Sequence, residues 1–173
     1  RGHRALQSDT HAIVSQASEQ FIRGLHSRRG TLTLIRGALD RRGDLSPPQL
    51  QALGASATAH TRHLLGTGLV RSGTPPVWWF GPEGVSSQDR TELNRAIVRR
   101  TQLRGVWRVP STFVTTTAAQ RHLLVMLEPL RSSAFPRSAV MGVFDVQPLV
   151  EDFYASRVAS CYPVQILDGE TLL

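Results

Sequence analysis

Near the N-terminus, the positions that carry the pattern recur at alternating spacings of three and four. Leu6, Thr10, Ile13, Ala17, Phe21, Leu25, Arg28, Leu32, Ile35 and Leu39 form the series, with Thr10 and Arg28 as its polar interruptions. That spacing draws a narrow stripe along one helix, the seam of a coiled-coil-like packing. Gly24, Gly30 and Gly37 weaken the helix, each by about 1 kcal/mol relative to Ala. One long helix is the favoured reading over two helices broken near Gly30. At a rise of ~1.5 Å per residue it runs about 50 Å. That exceeds the width of a small domain, so part of the helix is expected to pack on a second copy of itself.

Arg41-Arg42-Gly43-Asp44 stops this helix. Ser46 as N-cap and Pro47 in the first turn then open a second helix, predicted from Pro47 to Leu65 and ended by Gly66 and Gly68. A turn at 72–76 leads to the aromatic strand Val77-Trp78-Trp79-Phe80, closed by Gly81-Pro82-Glu83-Gly84. A third helix, capped by Ser87 or Asp89, is predicted from Arg90 to Leu103, and Val106 to Pro110 is read as a loop. Strands follow at Ser111–Thr117, at Leu123–Leu130 (nearly all apolar, hence covered on both faces or central) and at Ala139–Phe144. Asp145 is read as the N-cap of a helix bearing Leu149, Val150 and Phe153. Val164 to Leu167 reads as a last strand, with a hairpin turn at Asp168-Gly169 and its partner from Thr171.

Composition narrows the class. A chain of 173 residues, 40% hydrophobic and 19% charged, is one folded domain, or one domain and a fragment of a second. The net charge is +7 with no Lys, so every cation except His is Arg. The pairs Arg28-Arg29, Arg41-Arg42 and Arg99-Arg100 are scattered between apolar positions rather than gathered as a nucleic-acid surface needs. No nucleic-acid partner is expected. Cys161, the single cysteine, excludes an intramolecular disulfide and a multi-cysteine metal site and reads as a buried free thiol. No run is apolar enough to cross a bilayer. The start at Arg1 and the stop just after a strand signal suggest a piece of a longer protein.

The motifs V-W-W-F-G-P-E-G, T-E-L-N-R-A-I, L-L-V-M-L-E-P-L and S-A-V-M-G-V-F-D-V-Q-P-L-V-E-D-F follow one another between residues 77 and 153. With them, roughly residues 5–170 resemble the extracytoplasmic PAS-like sensor domains, of Cache or CHASE type, of bacterial membrane receptors. The resemblance implies an α+β fold, an antiparallel sheet flanked by helices with a long N-terminal helix. It also implies a periplasmic domain between two membrane helices of a signal-transduction receptor, most often a two-component histidine kinase, dimeric through the long helix. On this reading residues 1–45 are the signalling helix, 46–158 the sensor core, and 159–173 the start of a second subdomain or an exit segment.

The resemblance further implies a small-molecule cavity between the sheet and the helix crossing it, bounded by the 90–103 helix, the 105–110 loop and the strands at 111–117 and 123–130. The ligand residues it suggests are Trp79, Arg95, Arg99, Trp107, Arg108, Ser111, Thr115 and His122, with Trp78 as a further wall. An Arg in such a pocket suits a carboxylate. Each has a plainer reading. Trp78 and Trp79 point to opposite faces, Trp107 plugs the sheet, and Arg99 lines a solvated helix edge. Asp145 lies near the place where such domains carry a ligand-binding Asp, but is better read as a helix cap.

Catalysis by this chain is not expected, and no cofactor or metal is implied. His60 and His63 have a spacing that can hold a metal on a helix, but no third ligand stands near and a polar face explains them. There is no G-x-S-x-G elbow and no phosphate-cradling G-x-x-x-x-G-K. Two rival readings stand beside the ligand sensor. One is a ligand-free dimerisation and transduction module answering to a protein partner or the membrane, which predicts a core filled by side chains. The other is an Arg-rich nucleic-acid binder, which predicts steeply salt-dependent binding.

Overall fold

The computed structural model describes residues 2–155, 167–168 and 171–172, with side chains from 15 to 155 apart from Ala17 and Arg104. The order is α1 (Gly2–Arg41), α2 (Pro47–His60), β1 (Leu64–Arg71), β2 (Val77–Phe80), α3 (Ser87–Thr101), a 3-10 turn (Arg104–Trp107), β3 (Ser111–Thr116), β4 (His122–Pro129), β5 (Ser138–Asp145), α4 (Val146–Tyr154), β6 (Leu167–Asp168) and β7 (Thr171–Leu172). The fold is α+β, with the long N-terminal helix in one piece. Gly30 does not break α1.

Strands β1 to β5 form one antiparallel sheet in the order β2-β1-β5-β4-β3. Two apolar layers cover it. On one face α1, α2 and α4 bring Leu32, Ile35, Leu39, Ala57, Leu149 and Phe153 onto Leu69, Trp79, Leu124, Met126, Val140 and Phe144. On the other, α3 and the 3-10 turn bring Leu93, Ile97 and Val106 onto Val70, Val125, Leu127, Met141 and Val143. Alternate residues of β4 and β5 thus enter opposite layers, which is why both strands read as continuous apolar runs. β5, not β4, is the central strand.

Three sequence expectations change. The second helix ends at His60 rather than Leu65, and residues 64–71 form β1. Gly66 and Gly68 are close-approach positions rather than a helix stop. A Cβ on Gly66 would lie 2.7 Å from the Phe80 carbonyl oxygen and 2.9 Å from Pro82 Cα, and the β1–β2 register shifts between Thr67 and Gly68. Glycine in a strand marks just such a bulge or backbone approach. Ser86, not Ser87 or Asp89, caps α3, its Oγ accepting the Asp89 backbone N–H at 3.1 Å. The last hairpin pairs Leu167 with Leu172 and Asp168 with Thr171, so Asp168 is a strand residue rather than part of the turn.

Gly142 lets α1 lie close against the centre of the sheet. A Cβ there would stand 2.8 and 2.9 Å from the two Leu32 methyls. Further along α1, Phe21 and Leu25 pack against the layer that contains α4, with Phe21 edge-on to Phe153 at 5.7 Å. From Phe21 onward the stripe therefore contributes to the chain's own core. The side chains of Leu6, Thr10, Ile13 and Ala17, the thiol of Cys161 and the strand expected at 164–166 lie outside the described residues.

Candidate functional site

The residues expected to line a ligand cavity are divided between the two faces of the sheet. Trp107 is half-buried and packs with Trp78 and Phe113 on the α3 face. Ser111 and Thr115 share that face with Phe113 by alternation along β3. Trp79 faces the other way, into the layer under α1 and α2. His122 belongs by alternation to the same face as Leu124 and Met126, and its Nδ1 pairs with Thr116 Oγ1 at 2.8 Å. Arg95, Arg99 and Arg108 are exposed. Between these groups the α3 layer is filled by Leu93, Ile97, Leu123, Val125, Leu127 and Met141, all fully buried. A groove of about 470 Å³ on this side is lined by Ala96, Arg99 and Arg100 of α3, by Leu103 and by Thr112, Phe113 and Val114 of β3.

Asp145 stands at the N-cap position of α4, but its side chain makes no cap bond. Arg121 Nη2 donates to Asp145 Oδ2 at 2.8 Å, and Arg121 Nη1 donates to the Gly84 carbonyl. Its role is thus to hold the β3–β4 turn and the loop after β2 against the start of α4. His60 and His63 do not act as a pair. His60 Nδ1 meets the Ser56 carbonyl at 2.7 Å. His63 lies beyond the helix with φ of 66° and places Nε2 2.9 Å from Asp152 Oδ2.

Around Asp152, α1, α4 and the start of β1 converge. Arg62 Nη1 lies 3.4 Å from Asp152 Oδ2. The His63 hydrogen bond, followed by the charges of Arg62, His63 and Arg28, holds the Asp152 carboxyl below its ordinary range. Burial lowers the affinity of the Arg28 guanidinium for its proton, with the Asp152 charge opposing that effect. Arg28 Nη1 donates to the Gly24 carbonyl at 2.9 Å. A small cleft of about 140 Å³ between Phe21, Leu25 and Arg28 of α1 and Leu149, Asp152 and Phe153 of α4 marks this junction.

The most heavily charged contact in the interior was not anticipated from sequence. Glu128, on β4 inside L-L-V-M-L-E-P-L, is 1% exposed. Each of its carboxylate oxygens takes one guanidinium from α1: Arg29 Nη1 at 3.1 Å on Oε1 and Arg36 Nη1 at 3.1 Å on Oε2. Arg29 Nη2 also donates to Thr112 Oγ1 and, at 3.5 Å, to the Ser111 carbonyl. Arg29 and Arg36 are seven residues apart, so they rise from one face of α1. Thr31 Oγ1 and Thr61 Oγ1 add a 2.8 Å contact from α1 to the end of α2, and Asp40 Oδ1 accepts the backbone N–H of Arg131 and of Ser132, both at 2.9 Å. The available signal was a lone acidic residue in an apolar strand together with two arginines at heptad spacing on a helix.

A buried charge trio of this kind adds little net stability over an apolar replacement, because desolvation offsets the attraction. Removing one partner is costly. What it supplies is position: only one axial placement of α1 satisfies both oxygens of Glu128. No protein-family model, curated protein or solved structure matches the chain.

Proposed function

We propose that this chain is the extracytoplasmic sensory module of a membrane-bound signal-transduction receptor of the two-component histidine-kinase type, and that α1 carries the signal. The observation behind the reading is the Glu128 trio, which ties a helix of about 60 Å to strand β4 at a fixed height. A stimulus that shifts β4 against α1, or that favours a second placement of α1, is converted into a slide or rotation of the helix towards the membrane. No described helix is long and apolar enough to cross a membrane; membrane segments in the parent receptor are part of the proposal. Homodimerisation through α1 is part of the proposal, with Ile22 and Leu34 exposed on that helix.

The filled layers on both sides of the sheet favour reception at the surface over an enclosed small-molecule chamber. The module then answers to a partner, or to an anionic ligand in the groove between α3 and β3. The reading is tested in the full-length protein with a protease-cleavable tag inserted in the exposed turn Ser72-Gly73-Thr74. Protease added to intact spheroplasts should cut the tag, with the protein in the membrane fraction. Cleavage only after lysis, or a protein recovered in the soluble fraction, refutes it.

A further inference from the structure

We propose that the outer edge of β3 accepts an extended acidic segment of a partner protein as an added strand. The inference concerns this surface alone and holds whether or not the chain serves a membrane receptor.

β3 is the last strand of the sheet order, and among the described residues β4 is its one pairing partner. Among the described residues its outer row of backbone groups is open, apart from the Ser111 carbonyl that Arg29 approaches at 3.5 Å. Edge strands that do not accept partners are normally guarded by charge, proline or a bulge. β3 reads S-T-F-V-T-T, pairs in unbroken register with β4, and has none of these. The groove beside it follows the strand's edge rather than either face, since Thr112 and Val114 from one face and Phe113 from the other all line it. Leu103, which lines it, is 52% exposed, and Val109, two residues before β3, is 60% exposed.

The far wall of the groove sets the chemistry of the partner. Arg99 and Arg100 line it, and neither is paired with a carboxylate among the described residues. Arg100 lies over the Phe113 ring at 5.6 Å, and its Nε is buried without an acceptor. The nearby acid Glu92 is already engaged, accepting the Ala118 backbone N–H at 2.8 Å. An added strand that alternates acidic and apolar residues would pair its backbone with β3, direct its carboxylates on the α3 face to the two guanidinium groups, and lay its apolar side chains on the opposite face beside Val114. A second copy of this chain fits badly. Pairing β3 with itself would bring two sets of Arg99 and Arg100 together in a protein that already carries a net charge of +7.

The test uses the full chain and fluorescently labelled peptides, read by anisotropy and by amide chemical shifts. A peptide of alternating Val and Glu should bind with shifts centred on residues 111–116. Methylating its strand-pairing amides should weaken binding by about tenfold or more, the equivalent of one lost hydrogen bond. Arg99→Glu, at an exposed position and with an unchanged melting temperature, should weaken it by a similar factor. A Val–Lys peptide should not bind. The proposal is overturned by absence of binding, by equal binding of the methylated or the Val–Lys peptide, by equal competition from free glutarate, or by self-association of the chain through β3.

Discussion

Arg29 on α1 and Glu128 on β4 are 99 residues apart in sequence and meet at 3.1 Å across the interface between the long helix and the sheet. The Glu128 carboxylate is 1% exposed, and among the described residues Arg29 and Arg36 are the cations that compensate it. Glu128→Ala leaves two partly buried guanidinium groups without their carboxylate, Arg29 keeping Thr112 Oγ1 and the Ser111 carbonyl. It should destabilise the fold by about 3–5 kcal/mol, measured by urea denaturation. The combined replacement Arg29→Met, Arg36→Met, Glu128→Leu should recover most of that loss, because an apolar trio of similar volume avoids the desolvation penalty.

Gly142 and Leu32 provide an independent check on how closely α1 lies on β5. Gly142→Ala places a methyl 2.8 and 2.9 Å from the two Leu32 methyls, so the helix or the leucine must shift. Overpacking of this kind costs about 1–3 kcal/mol. Leu32→Ala alone should cost about 2–5 kcal/mol. The double variant should lose less than the two single losses combined, and a denaturation cycle reads the difference directly.

Asp152 should make stability depend on pH at the acid end. Its carboxyl is held below the ordinary value of 3.8, first by the His63 hydrogen bond. A carboxyl depressed in the folded state contributes stability that is fully present above its unfolded value and is lost as pH falls through the folded one. Asp152→Asn should therefore lower the melting temperature at neutral pH, and the gap from the parent protein should close as pH falls below about 3.8. The group is more than a third exposed at its side chain, so solvent screening keeps the gap small.

The placement of Arg121 yields a further prediction. Its guanidinium joins Asp145 to the Gly84 carbonyl. Arg121→Ala should speed hydrogen exchange at residues 82–86 and at the start of α4 while leaving the β4–β5 amides protected, because their ladder is covered on both faces.

The strands β3 to β5, α4 and the length of α1 were legible because each rests on a local pattern: alternation, a 3.6-residue stripe, or a cap. β1 was not. Gly66 and Gly68 carry the signature of a helix end, and the backbone that makes them strand glycines, at Phe80 and Pro82 for Gly66 and at Val77 and Trp78 for Gly68, lies at least nine residues on. The opposite orientations of Trp78 and Trp79 followed from alternation, but which of them faces α3 depends on how β2 pairs with β1. Asp145 was correctly placed at a helix start, yet its partner Arg121 belongs to a different turn. The Glu128 trio depends on partners 92 and 99 residues away, a distance at which pattern reading carries no information about pairing.

The central claim is that the Glu128 trio sets the position of α1 on the sheet. It is tested most directly by the electron-spin distance between a label at exposed Leu34 on α1 and one at exposed Arg71 at the end of β1. The parent protein should give one narrow distance distribution. The stable variant with Arg29→Met, Arg36→Met and Glu128→Leu should give a broadened or displaced one. An unchanged narrow distribution in that variant would contradict the account.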